Sequence, residues 1–201
     1  ERLQALSPQA QVLGGLTFQY AALREPGVLA LPDAEHRVVF GELTGGRTPR
    51  VRAVQALLRS ADINAHLSEN VRLDIWRKYL MINCNAGVCS VLRLPLGPVL
   101  ADVNGRALVE ACQREVIALA VAQGIPLNEA DREQTLRENE AAGWDATPSM
   151  LRDLRNGRPL ELETLNGTAL RLGRELAVPT PINRAITATL APWAAGAVNH
   201  A

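Results

Sequence analysis

The chain has 201 residues, enough for one large domain or two small ones, and 47% of them are hydrophobic, so a filled core is within reach. Lys plus Arg number 21 and Asp plus Glu number 21, a balance that gives no overall attraction to nucleic acid or to an anionic membrane. No apolar run approaches the roughly 18 residues of a membrane span, and the three cysteines, without a Cys-x-x-Cys pair, suit a reducing compartment better than a disulfide scaffold.

Residues 2 to 6 read as the end of a helix. Residues 11 to 22 are rich in β-formers around Gly14-Gly15 and read as a strand. A turn at Glu25-Pro26-Gly27 leads into an extended piece at 28 to 31, and 37 to 43 is a further strand broken at Thr44-Gly45-Gly46. Pro49 follows Thr48, and Val51, Val54, Leu57 and Leu58 recur at helical spacing, which predicts a helix over 49 to 60. Residues 63 to 68 are the next strand candidate. Mixed strands and helix to about residue 68 make an α/β portion.

From Ser68 onward the pattern is helical. One long helix runs toward Gly87, and a second spans 102 to 124 and is stopped by Gly124 and Pro126. Asn128 caps a polar helix through Glu140, expected to be largely solvated. Leu162, Leu165, Ala169, Leu172 and Leu176 form a narrow apolar stripe. Gly167 and Gly173 lie within it, at a propensity cost of about 1 kcal/mol each, which close helix contact would explain. A last helix covers 182 to 191, and the residues from Pro192 read as a loose tail. The opening Glu1-Arg2-Leu3 has no apolar block after it and is not a secretory signal, so a cytoplasmic protein is expected. The absence of a starting Met hints at a piece of a longer chain.

Residues 147 to 167 organise the helical portion. Thr147 reads as an N-cap with Pro148 at the first helical position, and Ser149 in the first turn, where free N–H groups favour an anion. Gly157 reads as the residue that ends this helix. Glu161 follows where the next helix is expected to begin. From spacing alone, Ser149 and Glu161 read as ordinary capping residues.

Ser149-Met150-Leu151-x-Asp153, Gly157-Arg158-Pro159-x-Glu161, Leu165-Asn166-Gly167 and Val178-Pro179-Thr180-Pro181-Ile182-Asn183 together resemble the C-terminal domain of the ketopantoate reductase (2-dehydropantoate 2-reductase) family. Residues 13 to 76 resemble the second half of that family's nucleotide-binding domain. The fold implied is a partial Rossmann-like α/β portion, residues 1–68, followed by an all-α substrate-binding and dimerisation domain, residues 69–201, like the C-terminal domain of 6-phosphogluconate dehydrogenase. The resemblance covers nearly the whole chain but only about two thirds of the family's length. The family's glycine-rich phosphate loop would precede Glu1. No G-x-G-x-x-G occurs in the sequence, so the chain by itself is expected to be inactive.

What the resemblance implies is hydride transfer from NADPH to the ketone of a small 2-keto acid, in pantothenate biosynthesis, by a homodimer. It makes Lys78, in Trp76-Arg77-Lys78, the catalytic acid, although from the sequence alone a lysine there reads as a snorkelling surface residue. It makes Ser149 a substrate contact and places Glu161 by both substrate and nicotinamide, in catalysis and cofactor binding. Ala21 roughly matches a position whose backbone contacts the cofactor. Pantoate-making members commonly carry asparagines where this chain has Ile82, Ala86 and Leu96. Asn85, seven residues past the lysine and within about 20° of its face, is the better replacement contact, with Asn83 about 140° away. Asn85 reads equally as a cap at the helix end. No His pairs with Cys or a carboxylate at metal-ligand spacing, and no metal is expected. The rival reading is a non-catalytic helical module for dimerisation or binding of a small acid.

Overall fold

The computed structural model describes residues 6, 9–19, 21–30 and 36–197. Residues 2 to 5 of the expected first helix, Leu31 and the last residues of the expected tail, 198 to 201, lie outside them. The chain forms two compact units, Glu1–Ile75 and Trp76–Ala201. The division falls within a helix, whereas composition changes at Ser68.

In the first unit, strand β1 (Leu13–Phe18) pairs antiparallel with β4 (Arg37–Glu42), and β4 pairs parallel with β5 (Ala65–Leu67), giving the order β1-β4-β5. The apolar run that predicts one strand over 11 to 22 is divided. After Phe18 the chain leaves this sheet, and β2 (Ala22–Glu25) forms a separate hairpin with β3 (Val28–Ala30). Gly27 turns that hairpin at φ +85°, a conformation that favours glycine. A parallel pair needs a crossover, and helix α1 (Pro49–Ser60) supplies it between β4 and β5. Its Val51 packs with Phe40 and Ala65, and Val54 and Leu58 join them at helical spacing. Leu57 shares the repeat but points off that face and is 70% exposed.

Thr48 caps α1 by accepting from Val51 N. Its hydroxyl also donates to Glu42 Oε1 at 2.5 Å, and Arg50 bonds the same carboxylate. Arg50, then Thr48, hold the Glu42 carboxyl below the usual carboxylate range. Gly41 lies where a Cβ would come within 2.8 Å of the Ser68 carbonyl, so the chain leaving β5 passes against β4 only because position 41 lacks one.

The second unit is built around α2 (Val71–Leu92), whose residues from Asn83 to Ser90 are all buried. A helix buried on every side lacks a one-sided stripe. There follow α3 (Leu96–Ala101), α4 (Val103–Ala122), α5 (Glu129–Ala141), α6 (Ser149–Arg155), a π-helical turn (Glu163–Gly167), α7 (Thr168–Glu175), α8 (Pro181–Leu190) and a 3₁₀ turn (Ala191–Trp193). Cys84, Cys89 and Cys112 are free and buried. Burial pushes the Cys84 thiol well up and the Cys89 thiol up to about 12, which leaves neither as a thiolate near neutrality.

Two expectations fail here. Helix α5 is not a solvated face: Asp131, Arg132, Thr135 and Asn139 form a buried stripe on it. Their burial is met by polar partners rather than apolar ones. Arg77 Nε donates to Asp131 Oδ1 at 2.7 Å, and Arg132 Nε donates to Glu129 Oε1 at 2.6 Å. The segment from Pro192 is no loose tail as far as it is described. Leu160 N donates to the Ala194 carbonyl and Ala197 N to the Gly157 carbonyl, both at 2.9 Å. No helix among the described residues is long and apolar enough to cross a membrane.

Candidate active site

Helix α6 opens at Ser149 itself. Pro148 is the N-cap and offers no side-chain cap, so the expected Thr147 cap is not formed. The Thr147 hydroxyl turns back instead and donates to the Asp145 carbonyl at 2.9 Å. Met150, Leu151 and Leu154 are buried and fix the helix, while Ser149 is exposed. The helix ends as its glycine predicts. Gly157 sits at φ +61°, its N–H reaches the Leu154 carbonyl, and Arg158 N reaches the Asp153 carbonyl at 2.9 Å, a Schellman closure. With seven residues α6 has a small dipole, so what Ser149 offers is chiefly its hydroxyl.

Glu161 is exposed and lies in a turn, not at the start of an α-helix. The next regular element is π-helical: Gly167 N donates to the Leu162 carbonyl at 2.9 Å, an i to i+5 bond. Leu165 N donates to the Glu161 carbonyl at 3.0 Å. At Gly167 a Cβ would lie 2.6 Å from the Glu163 carboxylate, the end of a flexible side chain that can move aside, so the contact does not demand glycine. At Gly173 a Cβ would lie 2.8 Å from the Val178 carbonyl and the Thr180 hydroxyl. Its close neighbour is therefore the following loop, not another helix as expected.

Lys78 is half-buried on α2, and burial lowers its pKa from the ordinary lysine value of 10.5. Beside it, Trp76 and Tyr79 meet edge to face at 5.5 Å between ring centroids. The Tyr79 hydroxyl donates to the Leu165 carbonyl at 2.8 Å, which ties α2 to the π-turn after Glu161. Burial pushes the Tyr79 phenol above its usual value, so it remains a donor.

Asn83 and Asn85 do not face an open site. Asn83 is fully buried, and its Nδ2 donates to Asn183 Oδ1 at 2.9 Å. Asn85 is 8% exposed, and both ends of its amide are bonded to Asn139. Of the three positions that the resemblance sets against the family's asparagines, Ile82 is half-buried, Ala86 is buried, and Leu96 is buried at the start of α3 rather than in a loop. Ala21 is an exposed residue between β1 and β2 in the first unit. Among the described residues no cluster of His, Cys, Asp or Glu is arranged to hold a metal ion.

Sequence reasoning missed Tyr79 and Glu115. Asn166 and Asn183 stood in quoted motifs without a role. Glu115 follows Gln113-Arg114 on α4, and nothing in that local sequence marks its carboxylate as buried. It accepts from Ile182 N at 2.6 Å and from Asn183 N at 3.0 Å, capping α8 from a distant helix.

The model of the ketopantoate reductase PanE/ApbA C-terminal domain matches residues 70–193. The chain belongs to the ketopantoate reductase family. It is 34% identical over 190 residues to the uncharacterized oxidoreductase YkpB of Bacillus subtilis, covering 94% of this chain and 63% of that protein. It is 29% identical over 181 residues to a 2-dehydropantoate 2-reductase of Streptococcus pyogenes, covering 90% of this chain and 59% of that protein. The chain thus spans about three fifths of the length of these relatives. The crystal structure of 2-dehydropantoate 2-reductase from Geobacter metallireducens superposes with a TM-score of 0.82 at 28% identity, covering 94% of this chain and 63% of that one. The fold is therefore ketopantoate-reductase-like, mostly helical with a small sheet.

Relatives in this family suggest a nicotinamide cofactor. A pyrophosphate seat needs backbone N–H groups opened to the ligand at a glycine-rich turn from strand to helix. At α1, which follows a strand of the sheet, the first turn carries Pro49 and is closed by the Thr48 side chain. The turn into α1 therefore offers no open seat of this kind for the phosphates.

Proposed function

We propose that the whole protein is a reductase that transfers a hydride from NADPH to the ketone of a small 2-keto acid, and that this chain supplies its acid and its substrate contacts. The observation that carries the reading is Lys78: a half-buried ammonium with a lowered pKa, inside a domain that belongs to the ketopantoate reductase family. Ala21 is the cofactor contact expected from the first unit. A homodimer fits the reading, since the expected role of the helical domain includes dimerisation.

The bound cofactor supplies the hydride, and the protein must manage the charge that results. As the new C–H bond forms at the keto carbon, the carbonyl electron pair moves onto oxygen. An ammonium beside that oxygen stabilises the developing negative charge and gives it a proton, leaving an alcohol and a neutral amine. Partial burial already disfavours the charged lysine, so proton donation is easier than from a fully solvated one. The Ser149 hydroxyl donates to the substrate carboxylate or a hydroxyl. Glu161 accepts from the Lys78 ammonium or a substrate hydroxyl and so orients both.

The deciding experiment is steady-state reduction of 2-keto acids by the full-length protein carrying Lys78→Ala. A positioned general acid contributes roughly 10²- to 10⁴-fold, and a loss of that size in kcat with a small change in KM is expected. Turnover within twofold of wild type would overturn the assignment and favour a non-catalytic helical module.

A further inference from the structure

We propose that Tyr79 and Asn83 are positioning residues that hold Glu161 in register with Lys78, an inference that rests on the catalytic reading above. The two lie one turn apart on α2, and Gly87 continues the same ridge one turn further. Every member of that ridge meets the π-turn. The Tyr79 hydroxyl donates to the Leu165 carbonyl at 2.8 Å. Asn83 and Asn166 both donate from Nδ2 to Asn183 Oδ1 at 2.9 Å, and Asn166 Nδ2 also lies 3.5 Å from the Asn83 carbonyl. A Cβ on Gly87 would sit 2.8 Å from the Asn166 amide, so glycine is what lets the turn approach the helix.

The orientation of these amides is set from outside the pair. Glu115 Oε2 accepts from Asn183 Nδ2 at 2.8 Å, which leaves Asn183 Oδ1 pointing at Asn83 and Asn166. As a result, Asn83 Oδ1 and Asn166 Oδ1 are buried without a protein partner. Burying three amides in one small volume is not the most stable way to fill it, because apolar side chains of the same shape carry no polar groups to satisfy. What it does supply is direction: a single alignment of the π-turn on α2. A π-helical turn is itself rare and clusters at functional sites.

The two candidate catalytic groups are each one step from this joint. Lys78 precedes Tyr79, and the Glu161 carbonyl accepts from Leu165 N at 3.0 Å, in the residue whose own carbonyl Tyr79 bonds. A slip of the π-turn along α2 would move Glu161 while leaving Lys78 in place. Misplacement of about 1 Å in such a pair costs of the order of 10²-fold in rate.

The test is a double-mutant cycle on the full-length protein, with NADPH and a 2-keto acid. Tyr79→Phe removes only the hydroxyl. It is expected to lower kcat at least tenfold with KM for the keto acid within twofold. In a Glu161→Ala background the same substitution is expected to cost less than twofold, because the group it positions is gone. Asn83→Ser removes the amide that shares Asn183 Oδ1 with Asn166 of the π-turn and is expected to couple to Glu161→Ala in the same way, and it decides the matter should Tyr79→Phe not fold. Equal losses with and without Glu161, or wild-type kcat in both variants, overturn the positioning role while leaving the catalytic one standing. If Lys78→Ala and Glu161→Ala themselves leave turnover unchanged, the catalytic reading falls, and the positioning role falls with it.

Discussion

Asn85 and Asn139 hold each other through both ends of their amides, Nδ2 of each donating to Oδ1 of the other at 2.7 and 2.9 Å. The pair is buried between α2 and α5, and it accounts for the last residue of the polar stripe buried on α5. Asn85→Ala would leave the Asn139 amide buried and unbonded, at a cost of about 1–3 kcal/mol. Replacing both residues with leucine removes the polar groups together and is expected to cost less than the single change. Denaturant unfolding of the full-length variants measures this. A single variant as stable as wild type would show that the pair contributes nothing.

Glu115 is expected to matter for stability on a similar scale. Its carboxylate accepts from Ile182 N, Asn183 N and Asn183 Nδ2, so it caps α8 and fixes an amide in one move. Hydrogen bonds to a charged acceptor are worth about 1.5–3 kcal/mol each, and the bonds share one carboxylate, so Glu115→Ala is expected to cost about 3 kcal/mol. Glu115→Gln keeps one acceptor oxygen and is expected to lose about half as much. Equal losses in the two variants would mean that side-chain packing, not the carboxylate, carries the effect.

The contrast between these buried polar groups and the apolar elements explains what the sequence made legible. Helix α1 was readable to the residue because Thr48-Pro49 marks its start and Val51, Val54 and Leu58 repeat toward one sheet face. The Gly157 closure was readable because only glycine takes that backbone conformation without cost. Helix α5 looked solvated because its buried stripe is Asp131, Arg132, Thr135 and Asn139, and a hydrophobicity pattern cannot see burial met by hydrogen bonds. The π-turn after Glu161 was invisible for a related reason: Leu162 and Leu165 fit an α-helical stripe equally well, and the extra residue shows only in the Gly167 to Leu162 bond. Lys78, Ser149 and Glu161 are candidates through motif resemblance rather than spacing, whereas the bonds of Tyr79 and Glu115 run across long sequence separations that no local pattern records.

The lowered pKa of Lys78 gives a pH dependence with a definite sign. Above the folded pKa and below 10.5, the ordinary lysine value, the unfolded chain binds more protons at this position than the folded one. Stability attributable to Lys78 therefore rises with pH through that window. Reduction shows the opposite trend, because the acid form is the active one: kcat/KM is expected to fall as pH rises, along a limb that begins below 10.5. A pH–rate profile of the full-length enzyme and of Lys78→Arg checks this. Arginine stays protonated, so the limb should be lost along with much of the rate. A limb unchanged in Lys78→Arg would belong to another group.

Substrate choice is the last outcome expected, and it turns on the three positions where this chain departs from pantoate-making members. The resemblance sets Ile82, Ala86 and Leu96 against asparagines of those members, which implies that polar partners for a substrate hydroxyl are missing and apolar surface replaces them. The neighbouring amides do not make up the loss, since Asn85 is bonded at both ends to Asn139 and Asn83 is fully buried with its donor committed to Asn183. An unpaired hydroxyl costs about 1–3 kcal/mol in binding. The full-length enzyme is therefore expected to favour a branched, apolar 2-keto acid over ketopantoate by roughly tenfold or more in kcat/KM, which corresponds to about 1.4 kcal/mol. Restoring the amides with Ile82→Asn and Ala86→Asn should shift the ratio back toward ketopantoate, the second at some cost in stability because Ala86 is buried. A tenfold preference of the unmodified enzyme for ketopantoate would show that other groups bind the hydroxyl and that these positions do not set the substrate.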